Sequence, residues 1–216
     1  MKIAASILSA DFAFLGSAVE LVERAGGDYI HIDVMDGSFV PGITVGQPTV
    51  AALRACTRLT LDVHLMVVNP GAHIESFVRA GADILTFHYE DADDREGILR
   101  KIRSLGCRAG MTIKPCTPVD ALFPYLELMD TALVMTVEPG LGGQDLLPGQ
   151  LDKISALRAE IIRRGLKCDI EVDGGINMTT APDVIRRGAN VLVSGSAIFG
   201  APDVAAAIRV MRALAE

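Results

Sequence analysis

Short apolar runs alternate with longer amphipathic stretches from one end of the chain to the other. The runs at residues 2–8, 29–33, 59–66, 84–88, 108–113, 131–137, 170–173 and 191–194 predict β-strands, being of strand length and rich in Val, Ile and Leu. The stretches at residues 14–25, 47–56, 70–80, 93–105, 119–126, 150–164, 180–187 and 203–215 predict helices. Gly26-Gly27 stops the first helix, and the segments AGGD (25–28), AGAD (80–83) and RGAN (187–190) repeat that stop-and-start punctuation at irregular spacing. Strict alternation of this kind implies parallel strands joined by helical crossovers. Eight units in 216 residues sit at the compact end of the α/β (β/α)8 TIM barrel, spanning residues 1–216 as one domain. An open, doubly wound sheet is the alternative.

The second strand and the loop after it, HIDVMDGSFVP (31–41), interrupt the pattern with chemistry. Alternate residues of a strand share a face, so His31, Asp33 and Met35 point the same way. A buried Asp costs several kcal/mol unless it is paired or bound to a cation. Asp36-Gly37 then turns the chain, which places the row at a strand end.

Composition narrows the class of partner. Half of the residues are hydrophobic and 22% are charged, so a well-buried core is available. A formal net charge of −7 argues against non-specific nucleic-acid binding, although backbone dipoles can still hold a phosphate. Cys56, Cys107, Cys116 and Cys168 are widely spaced, as expected for thiols of a reducing, cytoplasmic protein. The first residues, MKIAASILSADF, read as a strand rather than a signal peptide, and no charge-free apolar run reaches membrane-spanning length.

In a barrel the site lies at the carboxyl ends of the strands. The polar residues collected there are Ser6 from strand one, His31 and Asp33 from strand two, His64 from strand three and Asp173 from strand seven. Two imidazoles and two carboxylates suit one divalent ion, Zn²⁺, Fe²⁺, Mn²⁺ or Co²⁺. A lone inward His is more often a satisfied core residue; four such groups at one mouth reverse that expectation. Gly140, Gly142 and Gly143 follow strand six, Gly174 and Gly175 strand seven, and Gly195-Ser196 strand eight. Glycines there let N–H groups approach an anion, and the SAIF segment (196–199) offers a helix start, which together indicate a phosphate grip.

The strings SILSADF (6–12), HIDVMDGSFVP, DVHLMV (62–67), MTVEPGLGGQ (135–144), EVDGGI (171–176) and VSGSAIF (193–199) resemble, in order, the ribulose-phosphate 3-epimerase family. The resemblance implies that His31, Asp33, His64 and Asp173 bind one divalent metal per subunit. It implies that Asp33 accepts and Asp173 donates the proton at carbon 3 of a ketose phosphate, the roles exchanging with direction. Inversion needs two bases on opposite sides, and a free Asp, pKa ~3.9, is feeble against a carbon acid, so the metal must stabilise the enediolate. Ser6, His64, Gly140, Leu141, Gly142, Gly143, Asp173, Gly174, Gly175, Gly195 and Ser196 match substrate-contacting positions. Met35, Met66 and Met135, core filler by default, become an apolar wall over the reacting carbons. Asp62 and Glu171 share faces with His64 and Asp173 and are expected to orient the ligands. His88 is assigned no metal role, and His73 is expected to be solvated.

The family usually carries Pro-Asn-Ile/Leu-Thr-Phe after the second-strand motif and Gly-Phe-Gly-Gly-Gln-x-Phe in the glycine loop. Here Gly42 and Val45 replace the Asn and Phe, and Leu141 and Leu146 replace the two Phe residues. Fewer aromatic side chains near the mouth predict a wider or more mobile lid. The chain reads as cytoplasmic, with neither nucleic acid nor membrane as a partner, and the resemblance implies a homo-oligomer, dimer or hexamer, that acts on a small sugar phosphate. D-ribulose 5-phosphate and D-xylulose 5-phosphate are the expected pair; D-allulose 6-phosphate or a tetrulose phosphate is the alternative. Further off stand a Schiff-base lyase using Lys114 and a catalytically silent sugar-phosphate binder.

Overall fold

The computed structural model describes residues 1–214. Among these, eight parallel strands close into a barrel in sequence order: β1 (Lys2–Ser6), β2 (Tyr29–Met35), β3 (Thr60–Met66), β4 (Ile84–His88), β5 (Arg108–Ile113), β6 (Thr131–Met135), β7 (Asp169–Asp173) and β8 (Val191–Ser194). The seam pairs β1 with β8, Ile3 beside Leu192 and Ala5 beside Ser194, which excludes the open sheet. The outer layer carries α1 (Leu15–Arg24), α2 (Gln47–Cys56), α3 (Ile74–Ala80), α4 (Arg95–Ser104), α5 (Leu151–Arg164), α6 (Ala181–Arg186), the short α7 (Ser196–Phe199) and α8 (Val204–Ala213).

Every residue of β2 is buried, because the strand has a helix layer on one face and the barrel interior on the other. Its outward residues Ile30, Ile32 and Val34 join the continuous core beneath the helices, to which α1 contributes Val19 and Val22, and α5 contributes Leu157. A smaller apolar cluster gathers Ala4, Tyr29, Ile84, Val191 and Val193, of which Val193 stands beside Asp173. Toward the carboxyl ends of the strands the inward residues turn polar, and the chemistry collects there.

The repeated punctuation has a structural use. Asp28, Asp83 and Asn190 each follow a helix and start the next strand. The Asp28 carboxylate accepts the Ile3 N–H at 2.7 Å, Asp83 accepts that of Leu61 at 2.8 Å, and the Asn190 amide oxygen accepts that of Ile170 at 2.6 Å. In each pair the backbone N–H of the turn residue donates back to the carbonyl of the same strand residue. Asp130 repeats the device on Ala109, its carboxylate accepting at 2.9 Å, without the glycine signature. Strand starts are thereby locked in register by side chains as well as by the sheet.

Several expected boundaries shift: β2 runs on to Met35, β6 stops at Met135, α4 covers only Arg95–Ser104, and others move for local reasons. The first strand stops at Ser6, whose hydroxyl accepts the Leu8 N–H at 3.3 Å and opens a 3₁₀ turn over Ile7–Ser9. Residues 70–80 divide into a 3₁₀ turn at Pro70–Ala72 and α3. Residues 119–126 form part of a 3₁₀ run over Val119–Leu128 that holds Pro124, which has no N–H to continue an α-helix. The last helix ends at Ala213, and the expected end at Ala215 lies outside the described residues.

Asp130→Ala should leave the Ala109 N–H without an acceptor and cost ~1–3 kcal/mol. The expected readout is a lower urea midpoint with unchanged slope, while Asp130→Asn, which keeps an acceptor, stays near the parent.

Candidate active site

His31 and Asp33 project from β2, His64 from β3 and Asp173 from the end of β7, all into the barrel mouth. The cross-strand register sets Asp33 beside His64. His31 Nε2 stands 3.4 Å from Asp33 Oδ1 and 3.9 Å from Asp173 Oδ2; His64 Nδ1 stands 3.3 Å and 3.9 Å from the same two oxygens. His31 Nε2 is buried with no hydrogen-bond partner among the described residues. Four donors about 2.1 Å from a common ion at tetrahedral angles stand about 3.4 Å apart. The four atoms and the orphaned nitrogen therefore fit a divalent cation.

Partners behind these groups hold them in place. His31 Nδ1 lies 2.7 Å from Asp62 Oδ2, so the ring donates backwards and leaves Nε2 bare toward the centre. The Ser6 hydroxyl donates to Asp33 Oδ2 at 2.7 Å, leaving Oδ1 to face the imidazoles. Thr44 clamps the end of β2: its hydroxyl donates to the Asp33 carbonyl at 2.5 Å and accepts the Met35 N–H at 3.0 Å. His88, buried at the end of β4, places Nε2 2.9 Å from His64 Nε2.

Electrostatics divides the carboxylates. Burial opposes charge on Asp33, but the His31 and His64 imidazoles outweigh it and hold the carboxyl well below the usual range. Burial and the charge of Asp33 push Asp173 up to about 6, against the pull of the two imidazoles. One acid is thus the better ion and the other the better proton carrier. Deeper in the barrel, burial and the neighbouring Asp62 charge raise Glu171 well above the ordinary carboxylate value. Burial also drives His88 down to about 4, in spite of Glu90 beside it.

One cleft is shared by Ser6, Asp33, Met135, Asp173, the Leu141–Gly142–Gly143 stretch, Gly174-Gly175 and Gly195-Ser196. Gly174 has φ +117°, and a side chain there would run into Val137, so the turn after β7 is reserved for glycine. The first N–H groups of α7 have no acceptor within the helix and are left for other partners. Gly140 lies beside the cleft and packs on Val40 of the loop after β2.

The three methionines separate. Met35 and Met66, register partners, cluster with Val40, Leu8 and Phe39; Met135 clusters with Leu133 and Val137 on the other side. The positions that depart from the family pattern also separate. Leu141 is 74% exposed and lines the cleft, whereas Val45 and Leu146 pack against the main core. The expected thinning of the mouth therefore applies to Leu141 and not to these two. A methyl group at Gly42 would stand 3.2 Å from Met35 Sδ and 3.6 Å from the Gly140 carbonyl, so glycine lets the two mouth loops close on each other. Lys114 holds its ammonium 3.9 Å from the centre of the Phe39 ring, a cation–π contact away from the four ligating groups.

Thr44 and Glu90 carry no signal in sequence reading beyond their places near strand ends. Glu90 Oε1 accepts the Lys114 N–H at 2.7 Å and the Thr117 hydroxyl at 2.5 Å, while Oε2 lies 3.4 Å from His88 Nδ1. Only the spacing of His88 and Glu90, two residues apart across a strand end, hints at the pair.

A closed barrel whose polar groups converge at the carboxyl ends of its strands is a TIM-barrel protein with an enzyme-like site. Solved structures share this fold. A 3-hexulose-6-phosphate synthase superposes with a TM-score of 0.72 at 22% identity, each chain fully covered. KGPDC from Streptococcus mutans gives 0.73 at 16%, covering 99% of this chain and 96% of that one. Sequence carries the likeness further: the model of the ribulose-phosphate 3 epimerase family matches residues 2–199, and the chain belongs to that family. The Bacillus subtilis ribulose-phosphate 3-epimerase is 47% identical over 213 residues, 98% of each chain. The Synechocystis enzyme of that name is 48% identical over 212 residues, covering 97% of this chain and 92% of its own. The chloroplastic ribulose-5-phosphate-3-epimerase of Arabidopsis thaliana is 49% identical over 210 residues, 96% of this chain and 75% of its own. Among the described residues no helix is long and apolar enough to cross a membrane.

Burial opposes charge on Glu90, but donors from His88, Thr117 and Lys114 outweigh it and bring the carboxyl down from 4.5 to about 2. Its ionised form thus adds stability that is present above pH 4.5 and is lost as pH falls toward 2. Urea midpoints of the parent and of Glu90→Gln should differ near neutral pH and draw together on acidification through that window.

Proposed function

We propose that the protein is a metal-dependent epimerase that inverts carbon 3 of D-ribulose 5-phosphate to give D-xylulose 5-phosphate, and the reverse. The observation that carries this reading is the convergence of Asp33 and Asp173, from β2 and β7, on one centre shared with two imidazoles. Inversion removes a proton from one side of a carbon and returns one to the other. In this reading Asp33 takes the proton from one side and Asp173 returns one from the other. In the reverse direction they exchange tasks. A divalent ion held by His31, Asp33, His64 and Asp173 supplies Lewis-acid stabilisation for the charge that develops on the sugar oxygens beside carbon 3.

The remaining residues bind and orient. Ser6 keeps Asp33 aimed by holding its second oxygen. Backbone N–H groups of the Gly174-Gly175 and Gly195-Ser196 turns grip the phosphate, which is compatible with an acidic chain because the contact is local. Met135 lies in the cleft beside Asp173, its register partner, and limits water near the reacting carbon. Met35 and Met66 do so from the β2–β3 side.

Asp33→Asn and Asp173→Asn should each lower turnover by at least the ~10²–10⁴ that positioned proton transfer supplies, with the far-ultraviolet circular dichroism unchanged. Each variant should at most exchange with deuterated water the carbon 3 proton of the one epimer that its remaining acid faces, without inverting it. Retention of near-parent turnover in either variant rejects the two-acid scheme. Chelation should abolish activity, and His64→Ala should lower both bound metal and rate. Ser196→Ala keeps the backbone N–H through which the contribution runs and should leave KM for the phosphorylated sugar near the parent, whereas Ser196→Pro at the first position of α7, which removes that N–H, should raise it. Side-by-side kcat/KM values on pentulose, hexulose and tetrulose phosphates assign the substrate; a large preference for a sugar other than the pentulose replaces that part of the reading.

A further inference from the structure

His88 and Glu90 lie outside the four ligating groups, yet they stand in line behind one of them. His64 Nε2 and His88 Nε2 are 2.9 Å apart, with ring planes within 25° and ring centres 5.0 Å apart. Nearly coplanar rings with so short a nitrogen contact meet edge to edge, the geometry in which an N–H points at a lone pair. Two imidazole nitrogens can share a hydrogen bond only if one donates and the other accepts.

Glu90 settles which. Its Oε1 is taken by two donors, Lys114 N–H and the Thr117 hydroxyl, and its Oε2 faces His88 Nδ1. A carboxylate can only accept, so the His88 proton sits on Nδ1 and its Nε2 is the bare acceptor. His64 must then carry its proton on Nε2 and present Nδ1 unprotonated to the centre it shares with Asp33 and Asp173. A wall keeps water from replacing His88 as acceptor. The Phe39 ring packs 4.5 Å from the His88 ring, and the Lys114 ammonium lies on that phenyl ring.

We propose that His88, backed by Glu90, is a positioning residue that selects the tautomer and ring orientation of His64 and so tunes metal affinity from outside the coordination sphere. It does for His64 what Asp62 does for His31, but with a neutral acceptor in place of a carboxylate. Glu90 also ties the orientation of that ligand to the loop after β5, through Lys114 and Thr117. The inference rests on the metal reading above, and its test separates the two.

Metal-stripped parent, His88→Phe and His88→Gln are titrated with Co²⁺, reading visible absorption and chelator competition. His88→Phe, which keeps the ring packing but offers no acceptor, should bind about 10–100-fold more weakly and shift the absorption bands. His88→Gln, whose amide oxygen can take the place of Nε2, should recover most of that affinity. Equal affinity and spectrum in His88→Phe, or no recovery in His88→Gln, overturns the proposal. A parent that binds no Co²⁺ overturns the metal reading and this inference with it, whereas a binding parent indifferent to residue 88 overturns only the inference. Should His88→Phe fail to fold, long-range proton–nitrogen spectra of the Zn²⁺-loaded parent decide. A His88 proton on Nδ1 with bare Nε2 supports the proposal, and a proton on Nε2 ends it.

Discussion

Two carboxylates and two imidazoles meet at the barrel mouth, three of them buried, with each imidazole nitrogen 3.3 to 3.9 Å from the two carboxylate oxygens, and that crowding constrains much of the upper barrel. Groups of this kind taken out of water cost several kcal/mol each unless something compensates them. Compensation comes from behind and from the front. Behind, Ser6, Asp62 and His88 take up the atoms that face away from the centre. In front, a cation can satisfy all four inward atoms at once. The barrel holds the arrangement because Asp33 and His64 are register partners on strands paired over seven positions. A one-residue slip of either strand would turn its own ligating side chain out into the apolar layer beneath the helices.

The mouth loops are fitted to that centre rather than laid over it. Thr44 returns to clamp the end of β2, Gly42 allows the β2 and β6 loops to touch, and Glu90 draws in the loop after β5. Lys153 supports the same loop from α5, its ammonium donating to the Pro115 and Thr117 carbonyls at 2.7 Å each. A change in the loop after β2 thus reaches Asp33 through the one Thr44 hydrogen bond, and a change in the loop after β5 reaches His64 through Glu90 and His88.

Much of the fold could be read from the residues alone. Strands of four to seven residues announce themselves as bounded apolar runs, because each is buried on both faces, and β2 shows this over its whole length. The stops were legible too, since Asp28, Asp83 and Asn190 each begin a strand beside the neighbour they pin. Less legible were places where one side chain redirects the backbone. Ser6 ends β1 early by accepting the Leu8 N–H, and Pro124 keeps the segment after β5 in 3₁₀ form. Of the site, His31, Asp33, His64 and Asp173 could be named because each lies on an inward row toward the carboxyl end of its strand. Val45 and Leu146 could not be told from mouth residues, since a loop residue carries no periodicity that reveals whether it points to cleft or core.

What the sequence determined by itself was the alternation of elements, the inward rows and the residue types at strand ends. Those follow from local rules, the period of a strand and the chemistry of a turn. Tertiary structure alone decided that β8 returns to β1, that Glu90 and His88 stand in line behind His64, and that Met135 parts from Met35 and Met66. Each of these joins residues from different strands or across the closing seam, and such contacts exist only once the curvature and register of the whole barrel have brought distant strands face to face.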